Sequence, residues 1–446
     1  MPGTQKKHIM HALKTTVAAC IAGMGCACVV IGMPSMIIAS DPMEEINKRF
    51  QQRKETGDAA LLDVHQQYRA QRAAMEVQWK QREQAIADRW QEVKREAEKK
   101  WDHARRSNQT EWIDYSPSYE ARSTVDFEHG VIAITVLVPI GEAGSSQADP
   151  AAVLLAMKEA QAEAGAAGAP RFAEASAADP ASVMIARAAL PAAWTKIVQQ
   201  FEQVFSKEAR AGRPVLANQV VAKSGAPVAP QAAKSFVESE VIPNAVVEDK
   251  PMQAQDGITR VQVTATVSLA SDHLRQRAQL YREEVAVHAK RHGLDPRLLY
   301  AIIHTESYFN PLAQTPAPAY GLMLLVPRGP ARDAYNYLYK NDIVLDDGYL
   351  QDPAHNVELG AAYLHLLRRQ LVPNMEDGEK NNYLVACAYT WGLDKTRDQI
   401  LKQARVQDLT STQVFTLLSQ KTPENTRAYL NRVKDRIAMY ESLTPK

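Results

Sequence analysis

From about residue 44 to residue 109, charged residues of both signs alternate with apolar ones, and Gly and Pro are nearly absent. Aromatic residues recur every eleven positions: Tyr68, Trp79, Trp90, Trp101 and Trp112, with Met75, Ile86 and Ala97 seven after the first three. Steps of 7 and 4 average about 3.67 residues per turn, so one apolar stripe runs straight along a long helix. That stripe needs cover from a second helix, the rest of the chain or a second copy. The helix is therefore either a spacer with one packed face or a surface for a protein partner or self-association through Trp79, Trp90 and Trp101.

After Trp112 the period shortens to two. Ser123 to Phe127 and Val131 to Val138 read as strands joined by a turn at Glu128-His129-Gly130, and Thr259 to Val267 alternates cleanly enough to pair with that hairpin. Residues 142–186 are rich in Ala, Gly, Ser, Asp and Pro, a partly helical low-complexity insertion. From His273 onward the pattern is helical. The expected fold is α+β, divided into 1–40, 41–111, 112–272 and 273–446.

The first 40 residues differ in kind. Lys6, Lys7 and Lys14 precede an uncharged run of 26 residues, Thr15 to Ser40, which Asp41, Glu44 and Glu45 follow. Basic, apolar and acidic in that order is the pattern of an export signal, with the N-terminus left in the cytoplasm. The run is long enough to remain as a membrane anchor. It also permits cleavage near Ala39 or Ser40, or processing before Cys20, where Val17-Ala18-Ala19-Cys20 loosely resembles a lipoprotein box. Three of the four cysteines fall in this run, leaving Cys387 alone in the remainder, so paired-cysteine metal sites are excluded and no metal is expected. A net charge of +1 offers no electrostatic case for nucleic acid.

One helix carries the candidate chemistry. Gly293 ends its predecessor, Asp295-Pro296 caps the start, and Asn310-Pro311 closes it. Within it Glu306 lies four after Ile302, three after Ile303 and seven after Leu299, on the apolar face. A carboxyl there faces core or cleft, and desolvation raises its pKa towards the range of a general acid. The alternative is a boundary residue with its head in water. His304 lies off that face, as a structural or exposed residue.

Glu306-Ser307, Asn310-Pro311, Gly321-Leu322-Met323, and Ala388-Tyr389 with Gly392 resemble the lytic transglycosylase domain related to soluble lytic transglycosylase. Asp352-Pro353, Asn356, Gly360, Tyr363-Leu364 and Arg427-Ala428-Tyr429-Leu430 extend the likeness over nearly all of 274–440. Trp112 to Phe127, with the 259–267 strand, resembles the amino-terminal domain of the membrane-bound lytic murein transglycosylase C family. The resemblance implies a lysozyme-like all-helical domain that cleaves the MurNAc-β-1,4-GlcNAc bond of peptidoglycan without water or cofactor, leaving 1,6-anhydroMurNAc ends. By the same resemblance Glu306 is the acid and then the base. Thr315, Gly321, Met323, Tyr389 and Tyr429 bind substrate or orient the carboxyl, with Gly321 giving close backbone approach to a sugar.

Two positions depart from the family pattern. Leu324 stands where a glutamine is usual and Thr390 where an asparagine is usual, removing two amides expected near the sugar. The competing reading is a weakened wall-binding or envelope scaffold protein.

Overall fold

The computed structural model describes residues 42–142, 149–162, 180–210, 213–373, 375 and 378–443. The expected export or anchor segment, 1–40, lies outside the described residues. Among the described residues no helix is long and apolar enough to cross a membrane. The fold is α+β. Residues 74–446 form one compact unit, and the geometry below belongs to it.

Helix α1, Pro42–Glu98, carries the eleven-residue repeat. Trp79 and Ala97 are buried on its inner face, and Trp101 continues the stripe after the chain has left the helix. Of the two expected readings, the packed face is what Trp79 and Trp101 show, both being turned onto their own chain. Trp79 is 3% exposed under the Arg328 guanidinium. Trp101 is 1% exposed, packs with Leu137, Tyr115 and Tyr119, and donates its indole N–H to the Tyr119 carbonyl at 2.8 Å. Trp90 is half-buried beneath Arg106.

The sheet follows. Strands β1 (Glu111–Tyr115), β2 (Ala121–Asp126) and β3 (Val131–Glu142) form an antiparallel meander. Short β4 (Val246–Val247) and β5 (Met252–Gln253) precede β6 (Ile258–Ser268). The expected pairing of the late strand with the hairpin is present: β3 and β6 run antiparallel, with Val131 opposite Ser268 and Val138 opposite Val261. Asp126 fixes the hairpin by accepting from the Glu128 and His129 amides, and Gly130 sits at φ +66°. Helices α2 (Pro150–Ala162) and α3 (Pro180–Phe205) supply Val153, Met157, Trp194, Ile197 and Phe201 to the core on one sheet face. Leu137 and Trp101 meet on the other.

The remaining elements that place the site are all helical: α4 (His273–Leu280), α5 (Arg282–His292), α6 (Pro296–Ser307), α7 (Pro353–Leu371), α8 (Gly378–Trp391) and α9 (Glu424–Met439). Helix α6 is central, buried at nearly every position from Leu298 to Ser307. Its start is built as expected, the Asp295 carboxylate accepting from the Arg297 amide at 2.9 Å with Pro296 first in the helix. It ends at Ser307, ahead of Asn310-Pro311 as the sequence reads. Tyr308 and Phe309 take left-handed φ of +50° and +60°, which no L-residue adopts without steric cost, so the chain turns directly after Ser307.

Two arginines lock that turn to the sheet. Arg277, 1% exposed on α4, donates to the Tyr308 carbonyl at 2.6 Å and to the Phe127 carbonyl at 2.7 Å, and stacks on the Phe127 ring. Arg436 donates to the Tyr308 hydroxyl, which donates in turn to Glu128. His304 is structural, as one of its expected alternatives had it. It is 3% exposed and bonded to Tyr440, and burial with Arg436 and Arg277 nearby pushes its pKa down to about 3.

Candidate active site

Glu306 leaves the last turn of α6 half-buried, between the buried Thr305 and Ser307. The apolar face that the spacing predicts is present: Leu299, Ile302 and Ile303 are each fully buried. Helix α9 closes the other side, its buried stripe of Thr426, Tyr429, Leu430 and Val433 following the three-and-four rhythm of a packed helix. Tyr429 thereby faces the acid and donates its hydroxyl to Glu306 Oε1 at 2.8 Å. Burial pushes the Glu306 carboxyl up to about 7, while the Tyr429 hydrogen bond and the positive charge of Arg432 pull it down. Desolvation wins.

Tyr389, on α8, belongs to the same cluster. Burial and the Glu306 charge push its hydroxyl well above the ordinary tyrosine value, and Tyr429 is raised by the same causes. Both phenols stay protonated as donors. The Tyr389 hydroxyl is used on the Met323 carbonyl, and its ring meets Tyr363 edge-on at 5.9 Å. Of the expected site residues, the structure therefore brings Glu306, Tyr389 and Tyr429 together.

Gly321 and Met323 sit differently from the expectation. Met323 is 0% exposed, its side chain in the core against α7, where a Cβ on Gly360 would come within 2.1 Å of the sulfur. The room that Gly321 leaves, at φ +77°, is filled by the Leu350 carbonyl at 2.2 Å and the Asn356 side-chain nitrogen at 2.3 Å from a built Cβ. Its glycine is thus required by its own chain's packing. Asn356 is the hub of this segment. Its side chain accepts from the Met323 amide at 2.8 Å and donates to the Tyr320 and Leu350 carbonyls. Ser307 adds a bond from its hydroxyl to the Leu322 carbonyl at 2.7 Å. The motif after α6 is therefore fixed through its backbone by Ser307, Asn356 and Tyr389.

Thr315 turns its hydroxyl to the Ala317 carbonyl. Among the described residues, the hydrogen bond received by the Glu306 side chain comes from Tyr429. Of the two departures, Leu324 is 8% exposed at φ +45° and packs with Ala313 and Ala319, whereas Thr390 is exposed. Among the described residues no cluster of His, Cys, Asp or Glu is placed to hold a metal.

Arg432 was not singled out from the sequence. It lies three after Tyr429, on the neighbouring face of α9, exposed and close enough to lower the Glu306 pKa. The readable signal was that i, i+3 step from a residue already assigned to the site.

Residues 283–410 match the family model described as the transglycosylase SLT domain. The chain is similar to membrane-bound lytic murein transglycosylase C of Haemophilus ducreyi, 31% identical over 227 residues, covering 50% of this chain and 60% of that protein. The protein of the same name from Salmonella arizonae is 29% identical over 227 residues, covering 49% of this chain and 61% of its own length. Among solved structures, lytic transglycosylase Slt of Pseudomonas aeruginosa aligns at 26% identity and a TM-score of 0.31, over 36% of this chain and 24% of that one. The chain thus spans about 60% of the length of the relatives it matches.

Proposed function

We propose that this chain, carrying a transglycosylase SLT domain at 283–410 and homologous to membrane-bound lytic murein transglycosylases, cleaves peptidoglycan glycan strands without water. The observation that carries the reading is the recessed Glu306 carboxyl on the buried α6, held by the Tyr429 hydroxyl at 2.8 Å; burial there pushes its pKa up to about 7, which favours the protonated acid near neutrality.

The chemistry then follows from one group used twice. Protonated Glu306 gives its proton to the glycosidic oxygen between MurNAc and GlcNAc, and the bond from C1 to that oxygen breaks. The N-acetyl oxygen of the same MurNAc shares the positive charge at C1. The Glu306 carboxylate then takes the proton of the C6 hydroxyl as that oxygen bonds to C1, closing the 1,6-anhydro ring and restoring the acid. No second carboxylate is needed, unlike in two-carboxylate glycosidases. Tyr429 steadies the carboxylate between the two transfers, and Tyr389 acts through the Met323 backbone. In this reading residues 273–446 are the catalytic unit, with Thr315 at the sugar. Residues 1–40 direct export to the periplasmic face of the envelope and attachment there.

The test is the full chain incubated with peptidoglycan sacculi in ¹⁸O-water. Release of anhydromuropeptides without ¹⁸O, abolished in Glu306→Gln, is expected. Reducing muramyl ends carrying one ¹⁸O, or unchanged release by the variant, would reject the reading. Envelope attachment is checked by membrane fractionation of chains with and without residues 1–40.

A further inference from the structure

A cavity lies away from the Glu306 carboxyl, where α1 passes the sheet. It is a cleft of about 460 Å³ lined by Trp90 and Arg89 of α1, by Arg106, by Tyr115 and Tyr119 of the sheet domain, and by Gln314 of the helical domain. Three distant stretches of sequence therefore build one recess. Its volume falls within the range of small-ligand sites.

The cationic side chains of this cleft are unevenly used. Arg105 is paired with Glu111 at 2.7 Å. Arg106 is half-buried and rests over the Trp90 ring at 5.5 Å, and among the described residues neither it nor Arg89 has an acidic partner. A guanidinium partly withdrawn from water without a counter-charge is poised for a planar anion, which it grips with two parallel hydrogen bonds. Two acids also face the recess. Asp114 is occupied by Gln203 at 2.8 Å and by the charge of Lys207, while Asp347 lies at the helical-domain end. Because Arg106 covers the Trp90 ring, that face is not free to stack on a sugar. The tyrosine rings instead offer apolar walls to short aliphatic groups.

The cleft also touches the segment that leads into Thr315, the residue the proposed function sets at the sugar. The Gln314 amide bonds to the Asn108 carbonyl, next to the arginines in the chain, and Gln314 directly precedes Thr315. A substrate reaching from the glycan site past Thr315 would meet this recess. Peptidoglycan carries short peptides on its muramyl residues, rich in carboxylates and small aliphatic side chains.

We propose that the cleft between α1 and the sheet binds the carboxylate-bearing stem peptide of peptidoglycan, with Arg89 and Arg106 as its anion contacts. The proposal rests on peptidoglycan being the substrate, and its test separates the two. The full chain carrying Glu306→Gln, which prevents turnover, is titrated with the free tripeptide L-Ala-γ-D-Glu-diaminopimelate and followed by calorimetry. Arg89→Ala/Arg106→Ala is expected to weaken binding at least tenfold, and amidation of the peptide carboxylates to do the same to the parent. An Arg106→Gln variant with an unchanged melting temperature guards against misfolding. In the chain with Glu306 intact, the preference in kcat/KM for peptide-bearing over peptide-free glycan is expected to fall about tenfold in the double variant. Equal tripeptide affinity in parent and double variant, or equal losses on both glycans, would overturn the cleft's role. Peptide binding by a chain that cleaves neither glycan would instead reject the catalytic reading and leave the cleft standing.

Discussion

Replacing Tyr429 by Phe removes one oxygen and leaves the ring packed in α9, so it isolates the hydrogen bond to Glu306 Oε1 at 2.8 Å. That bond favours the charged carboxylate over the neutral acid. Hydrogen bonds to charged groups contribute about 1.5–3 kcal/mol, and about 1.4 kcal/mol corresponds to one pH unit of titration. Glu306 is half-buried, and water can replace part of the lost bond, so the lower end applies. In the proposed reaction the first step needs protonated Glu306, so activity is expected to fall as pH rises through its pKa, pushed up to about 7 by burial. With Tyr429→Phe the descending limb moves upward by about one pH unit. The plateau below it drops by about tenfold, as the acid loses a group that orients it. The assay is kcat against pH on soluble glycan strands. A limb that stays put, or moves to lower pH, would refute both the hydrogen bond's assignment and the burial argument.

Glu306→Gln should stabilise the fold at alkaline pH. A carboxyl raised from 4.5 to about 7 contributes stability that is complete below pH 4.5 and is lost as pH rises through 7, so the variant gains about 1–3 kcal/mol at pH 8 and nothing at pH 4, read by urea unfolding. The histidines have the opposite sign. Burial holds His304 at about 3 and His273 and His292 at about 4, so stability falls as pH drops from 6.5 towards 4, with a melting temperature that declines across that window. Arg277→Met leaves the Phe127 and Tyr308 carbonyls without their buried donor and should cost about 2–5 kcal/mol, measured by the same unfolding, with Arg277→Lys recovering part of it. Trp101→Ala should cost about 3–5 kcal/mol, because that ring is core; an unchanged stability would return it to the role of a partner surface.

The face on which Glu306 lies was legible because helical spacing alone puts Leu299, Ile302 and Ile303 beside it, and all three are buried. The sheet pairing was legible from alternation, since a strand with one buried face tolerates a single register. What the sequence concealed depends on contacts between distant segments. The eleven-residue repeat runs on through Trp101, yet α1 ends at Glu98, because Trp101 packs equally well from a turn against Leu137 and Tyr119. Gly321 reads as a groove residue, and Met323 as groove or core, until Leu350, Asn356 and Gly360, more than 25 positions away, occupy the space around them. The double left-handed turn at Tyr308 and Phe309 has no residue signature, since neither is Gly or Asn, and it is held by Arg277 and Arg436 from two other helices.

The account turns on a carboxyl that stays largely protonated near neutral pH. Infrared difference titration of the full chain against Glu306→Gln isolates the C=O stretch of that acid, and the band should persist at pH 6 and disappear around pH 7. A band already lost by about pH 5, the behaviour of a solvated glutamate, would contradict it.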